Sequence, residues 1–309
     1  MIDGGSEAEV TLQRYSEFLS DGDYAVLSKV VASNTTFSKL GFRQIKNDPE
    51  LLEYLLASED LYRSLFGPDG EPLLQVSPFL GFAVLIHRSA IAISKATFVT
   101  EWIGPRKRVP LFDTRGAKRI LHDPSSRFFL AELLASFTHV SSGTLVRPSA
   151  KGLRKKRFSE LDLASLVDIA SDADELARLQ IVKRIGDLCL LLAGVFPDYA
   201  GTMIDRSPRY RAAVKRALVA VSGGDKSSRD LDTEEVLGAD DGLRVLESLA
   251  SSCYSYLIRS NIASAASARD ALETLERIAS DSEAVRRALN FVSDRYLFDY
   301  RSSWFGLPN

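Results

Sequence analysis

The densest chemistry in this chain is cationic. Between residues 147 and 157 the sequence places Arg147, Lys151, Arg154, Lys155, Lys156 and Arg157, broken by Pro148 and Gly152. A second run, Arg106, Lys107 and Arg108, follows Gly104-Pro105. Cations at this density neutralise phosphates and release the counterions condensed on them. If the two runs share one face, they form a patch for nucleic acid or another polyanion. The competing reading is a pair of solvated basic loops balanced by the acidic flanks of the chain. Arg209, Arg211, Lys215 and Arg216, on a helix expected over 207–221, extend the patch in the first reading. Neither run is interleaved with aromatics of the kind that stack bases, so contact with the backbone is what these residues imply.

A second group of residues could do acid–base work. Glu132 and His139 stand seven apart, two helical turns, which puts a base and a carboxylate partner on one face. Arg184 and Asp187 interrupt an apolar helix at i, i+3 spacing and are expected to pair, since charges in an apolar setting are costly alone. With Asp113 these residues are the candidates for a central catalytic pocket. The bland readings are a histidine near a helix end, and a structural ion pair tethering a neighbouring loop. His87 ends an apolar face and reads as a core residue, and His122 reads as a helix-end residue. Dinucleotide, P-loop, nucleophile-elbow and zincin signatures are all absent. Three histidines and two separated cysteines offer no ligand cluster, so neither a metal nor a cofactor is expected.

Charge is segregated along the chain. Residues 101–160 carry 13 Lys/Arg and 5 Asp/Glu, a net of +8, against −5 for residues 1–100 and −5 for 161–309. Hydrophobic residues make up 45% and charged residues 26%, the balance of a globular protein rather than a disordered one. Cys189 and Cys253 fall in apolar helical patterns, which fits a reducing, cytoplasmic setting. Residues 1–10 are acidic and read as no signal peptide. The longest apolar run, Phe79–Ile86, is too short to span a bilayer, which takes about 20 residues, so no membrane role is expected.

The elements that must position these residues read as mostly α-helix. Short amphipathic helices are expected over 10–19 and 24–32, broken by Asp21-Gly22-Asp23, and another over 49–57. Gly67-Pro68-Asp69-Gly70 reads as a turn. Ser77-Pro78 pairs an N-cap with a proline in the first turn, opening a long helix to about Ala96. Further helices are expected over 126–140, 160–170, 174–193 and 207–221, with two or three between 240 and 298. Gly194 and Pro197 read as the end of the most apolar helix. Residues 97–103 and 109–112 are rich in β-branched and aromatic types and read as a small hairpin, weakened by Pro110. Residues 143–158 read as an extended basic loop. The fold class is therefore all-α, a multi-helix bundle with these two insertions.

Several of these segments resemble an uncharacterised family of helical bacterial proteins. The similar pieces are Glu101–Pro105, Arg108–Asp113, Phe129–His139, Arg157–Asp162, Arg184–Asp187 and Gly194–Asp198. The resemblance implies that residues 75–200 form the defining unit and carries no activity with it. The chain is expected to make one unit over 1–309, divisible into 1–221, a mobile loop at 222–235 and a C-terminal helical segment at 236–309. Five aromatics crowd the end: Tyr296, Phe298, Tyr300, Trp304 and Phe305. Such a tail is expected to dock, on the protein's own core or, through Tyr300, Trp304 and Phe305, on a partner or a second copy. The functional expectation is a non-enzymatic binding protein for nucleic acid or another polyanion, then a scaffold for protein partners, then an enzyme of unrecognised type.

Overall fold

A computed structural model describes residues 13–33, 42–67, 75–104, 106–149, 152–222, 242–260 and 269–307. Sixteen helices and two small two-stranded sheets account for the elements among them, a mainly-α multi-helix fold. The expected leader reading at 1–10, the turn at 68–70 and nearly all of the loop at 222–235 lie outside the described residues.

In chain order the helices are α1 Asp21–Ser33, α2 Phe42–Asn47, α3 Pro49–Ala57, α4 Glu59–Phe66 and α5 Pro78–Ser94. The β1–β2 hairpin follows, Val99–Gly104 with Lys107–Leu111, then α6 Arg115–His122 and α7 Pro124–Ser136. A second hairpin pairs β3 Ser142–Ser149 with β4 Gly152–Ser159. Then come α8 Leu163–Asp172, α9 Glu175–Val195, α10 Pro197–Arg206, α11 Pro208–Val221, α12 Gly242–Arg259, α13 Arg269–Ser280 and α14 Ser282–Val292. A π-helical turn, Ser293–Leu297, leads to the short α15, Arg301–Phe305.

Cap-plus-proline starts recur, because a proline loses nothing where the N–H is unpaired anyway. Asp48 before Pro49, Ser77 before Pro78 and Asp123 before Pro124 each accept from a backbone N–H in the first turn of the helix they open. The Asp21-Gly22-Asp23 break turns out to be a helix start. Asp23 is fully buried, and its carboxylate accepts from Ser20 and, 2.7 Å away, from the Ser77 N–H. One side chain thus clamps the openings of α1 and α5, a role that no local spacing signals.

Buried apolar residues from Tyr15 to Leu307 form one contiguous cluster. Its axis is α9, buried without interruption from Ile185 to Val195 and packed by α8, α12 and α14. Gly194 lies inside this helix rather than ending it. A Cβ there would come within 2.5 Å of Leu289, so the glycine lets α14 approach. Gly186 does the same for α12, where a Cβ would stand 3.1 Å from Tyr254.

The aromatic C-terminus folds back onto this core. Phe305 is 2% exposed, stacked on Phe82 and edge-on to Phe196, while Trp304 meets Phe82 and Phe66. Tyr300 stacks on Trp304 at 4.7 Å. Phe305 is therefore engaged within its own chain. Among the described residues no helix is long and apolar enough to cross a membrane.

Candidate functional site

The β1–β2 hairpin is short but tightly held. Its register pairs Val99 with Leu111, Glu101 with Val109 and Trp102 with Arg108. Pro110 is accommodated opposite Thr100 in a two-stranded ribbon, where β2 has an edge free of ladder bonds. Lys107 and Arg108 belong to the strand, so the turn is tighter than the expected five-residue separator. Arg106 adopts φ 57°, the only described non-glycine residue with positive φ. Left-handed backbone costs an ordinary residue about 1–2 kcal/mol, and here an outside group compensates.

That group is Asp198, in the first turn of α10. Its Oδ1 accepts from the Arg106 N–H at 2.7 Å and from Trp102 Nε1 at 2.9 Å, and its Oδ2 from Arg108 Nη2 at 2.9 Å. Burial alone would push the Asp198 carboxyl up, but the Arg106 N–H, the Trp102 indole and the Arg108 guanidinium override it and hold it below the usual range. The Trp102 ring seals the joint by lying over Gly201, where a Cβ would come within 2.6 Å.

Beside this anchor runs a groove of 450 Å³ lined by Arg106, Asp198, Tyr199, Arg206 and Tyr210, with Thr202, Met203 and Ser207. Asp162, three residues beyond the end of β4, bonds the Tyr210 phenol. Burial and then the Asp162 charge raise the Tyr210 phenol far above its ordinary value, and the same two causes raise Tyr199. Both rings therefore stay neutral phenols. Asp162 is itself bound by Arg209 at 2.6 Å. Asp198 in the groove and Asp162 beside Tyr210 are thus both matched to guanidinium groups. Among the described residues Arg106 and Arg206 are exposed and meet no carboxylate.

The second basic run is a paired ribbon rather than a loose loop. The register sets Arg147 opposite Arg154, Leu145 opposite Lys156, Val146 opposite Lys155 and Thr144 opposite Arg157. Lys151 lies outside the described residues. The ribbon contacts the body through β4 against α8. Its base is fixed by Glu160, which accepts from Arg184 Nη2 at 2.8 Å. The expected extension along α11 is smaller than its charge suggests. Arg209 and Arg216 are bound by Asp162 and Asp168, and Arg211 donates to the Ile204 carbonyl.

The five acid–base candidates do not converge. Arg184 and Asp187 do not bond to each other. Arg184 donates to Ser136 and Glu160 and lies 3.6 Å over Phe137, tethering the chain after α7 to the base of the ribbon. Asp187, 3% exposed, accepts from Lys183 at 2.9 Å and from Tyr254 at 2.8 Å. Glu132 reaches Lys183 at 3.7 Å, whereas His139 lies beyond the end of α7, exposed, and among the described residues bonds Thr138. The seven-residue spacing fails because the helix stops at Ser136. Asp113 forms an exposed pair with Arg115 two residues on. Of the other histidines, His87 is buried with Nδ1 on the Ala83 carbonyl, and His122 closes α6 with Nε2 on Ser94.

A charged cleft of 520 Å³ that the sequence did not signal lies between β1, α12 and α14, with Glu101, Glu247 and Arg286 at its floor. Arg286 is 5% exposed and bridges Glu247 and Glu101, while Arg287 joins Glu101 to Glu283. These charges answer one another, which makes the network a brace between β1, α12 and α14.

Compared with known proteins, the chain matches no family model, no curated protein and no solved structure.

Proposed function

We propose that this protein binds the phosphate backbone of a nucleic acid, or another polyanion, without catalysing a reaction. The observation that supports this reading is the groove beside the β1–β2 turn, which Arg106 and Arg206 line. Asp198, in the same lining, holds the turn in place. Arg106, Lys107 and Arg206 have no carboxylate partner among the described residues, and the ribbon adds Arg147, Arg154, Lys155, Lys156 and Arg157. The five acid–base candidates form no single centre: Glu132 and Asp187 share Lys183, while His139 bonds Thr138 and Asp113 bonds Arg115. Two buried free thiols, Cys189 and Cys253, fit a reducing, cytoplasmic setting.

The test is fluorescence anisotropy with labelled nucleic acid over a salt series. Binding should weaken linearly in log–log form, because each neutralised phosphate releases about 0.7–0.9 of a counterion. Replacing Arg154, Lys155, Lys156 and Arg157 with Ser should remove most of the affinity while leaving the thermal transition in place. Absence of binding at low ionic strength discards the reading.

A further inference from the structure

The cationic runs contain no aromatic residue to stack a base, but two tyrosines line the groove. Tyr199 comes from α10 and Tyr210 from α11. They are partly buried rings anchored on the core, and they line the same groove as Arg106 and Arg206. The Tyr199 phenol is hydrogen-bonded to Tyr210 and the Tyr210 phenol to Asp162, and the Arg209 guanidinium lies 5.7 Å over the Tyr210 ring. The groove's own carboxylate, Asp198, is bound by Arg108, and Asp162, which bonds the Tyr210 phenol, is bound by Arg209. The two rings thus share the groove with the cations Arg106 and Arg206.

We propose that this groove takes a single-stranded nucleic acid, with a base against Tyr199 and Tyr210 and the flanking phosphates on Arg106 and Arg206. The assignment rests on the polyanion-binding reading and narrows it to one class of ligand. A duplex keeps its base faces stacked inside and offers only phosphates. A single strand offers both, and any base will serve because every base has a flat apolar face. The strained turn at Arg106 is consistent with this use. The Asp198 contact fixes the backbone of a residue whose side chain edges the groove, and strain of this kind is retained where a side chain must be aimed.

Four probes of equal length separate the outcomes in an anisotropy assay: oligothymidylate, oligouridylate, an abasic deoxyribose strand and a duplex. The intact protein should bind both base-bearing strands about tenfold more tightly than the abasic strand, a typical contribution for one stacked base. Tyr199→Leu should erase that margin, Tyr199→Phe should keep it, and Arg206→Ser should weaken all four probes together. A preference between the thymidine and uridine strands would say whether DNA or RNA is the natural source. Equal binding of base-bearing and abasic strands, or preference for the duplex, overturns the stacking proposal but leaves polyanion binding intact. No binding of any probe overturns both. Ultraviolet cross-linking of the unaltered protein to oligothymidylate, mapped by mass spectrometry, is an independent check should the leucine variant fail to fold. Adducts on Tyr199 or Tyr210 support the proposal, and adducts confined to other residues sink it.

Discussion

The two hairpins are alike in sequence and unlike in structure. Both are two-stranded, antiparallel and basic. The first is locked to the body, with Trp102 over Gly201, Arg108 on Asp198 and Glu101 in the Arg286 brace. The second touches the body through β4 against α8 and through the Glu160–Arg184 bond beyond its base. Counting cations therefore misjudges what each offers. In the first hairpin one of three basic residues, Arg108, is a structural tie. Burial and partner geometry decide whether a charge serves stability or remains for a ligand.

The sharpest way to break this contrast is to remove the first hairpin's anchor. Trp102→Ala should destabilise the protein by about 3–5 kcal/mol, the usual cost of deleting a buried aromatic. Chemical denaturation would measure it, and a loss below about 1 kcal/mol would show that the hairpin is not fastened through this ring.

Next in size is Asp198→Asn, which weakens hydrogen bonds to charged and polar donors and should cost about 1.5–3 kcal/mol. Its pH dependence has a definite sign. The folded carboxyl titrates below the ordinary value of 3.8. Its contribution is then complete at pH above that ordinary value and is lost as pH falls through the depressed one. The stability gap between wild type and Asp198→Asn should thus be constant near neutrality and close under acid conditions. A gap that widens on acidification would contradict the charge assignment.

The second hairpin should behave in the opposite way. Replacing its four consecutive cations, Arg154 to Arg157, with Ser should shift stability by no more than about 1 kcal/mol if these charges serve a ligand rather than the fold. Thermal unfolding would show this, and a collapse of the fold would mean the ribbon is as embedded as its neighbour.

The smallest effect is the most discriminating. Arg106→Gly relieves the positive φ and should leave stability unchanged or raise it by up to about 1 kcal/mol, while weakening nucleic-acid binding. Greater stability with weaker binding would show a side chain kept for contact at the expense of the fold. A clear loss of stability would instead make Arg106 a structural residue.

Local chemistry explains what could be read from the sequence. Ser77-Pro78 opens a helix by rules confined to a few residues, and the β-branched stretches about Gly104 announce a hairpin. The spacing of Glu132 and His139 misled because α7 ends at Ser136, before the second turn the argument needed. Arg184 and Asp187 misled because side chains in a core answer to whatever packs opposite. Arg184 met Glu160, and Asp187 met Tyr254, 67 residues away. Gly194 read as a stop because its neighbour Leu289, on another helix, could not be seen.

The sequence alone determined the helical class, the two basic insertions and their excess of positive charge, since periodicity, caps and composition are properties of neighbouring residues. Tertiary structure decided which charges are engaged and which are left over. Asp198 meets Arg106 and Arg108 across about ninety residues, and Tyr199 and Tyr210 come to line a groove with a cation from a distant strand turn. No spacing rule reaches that far. The pairing is selected by burial, because a carboxylate brought against the core is stable only where donors converge on it.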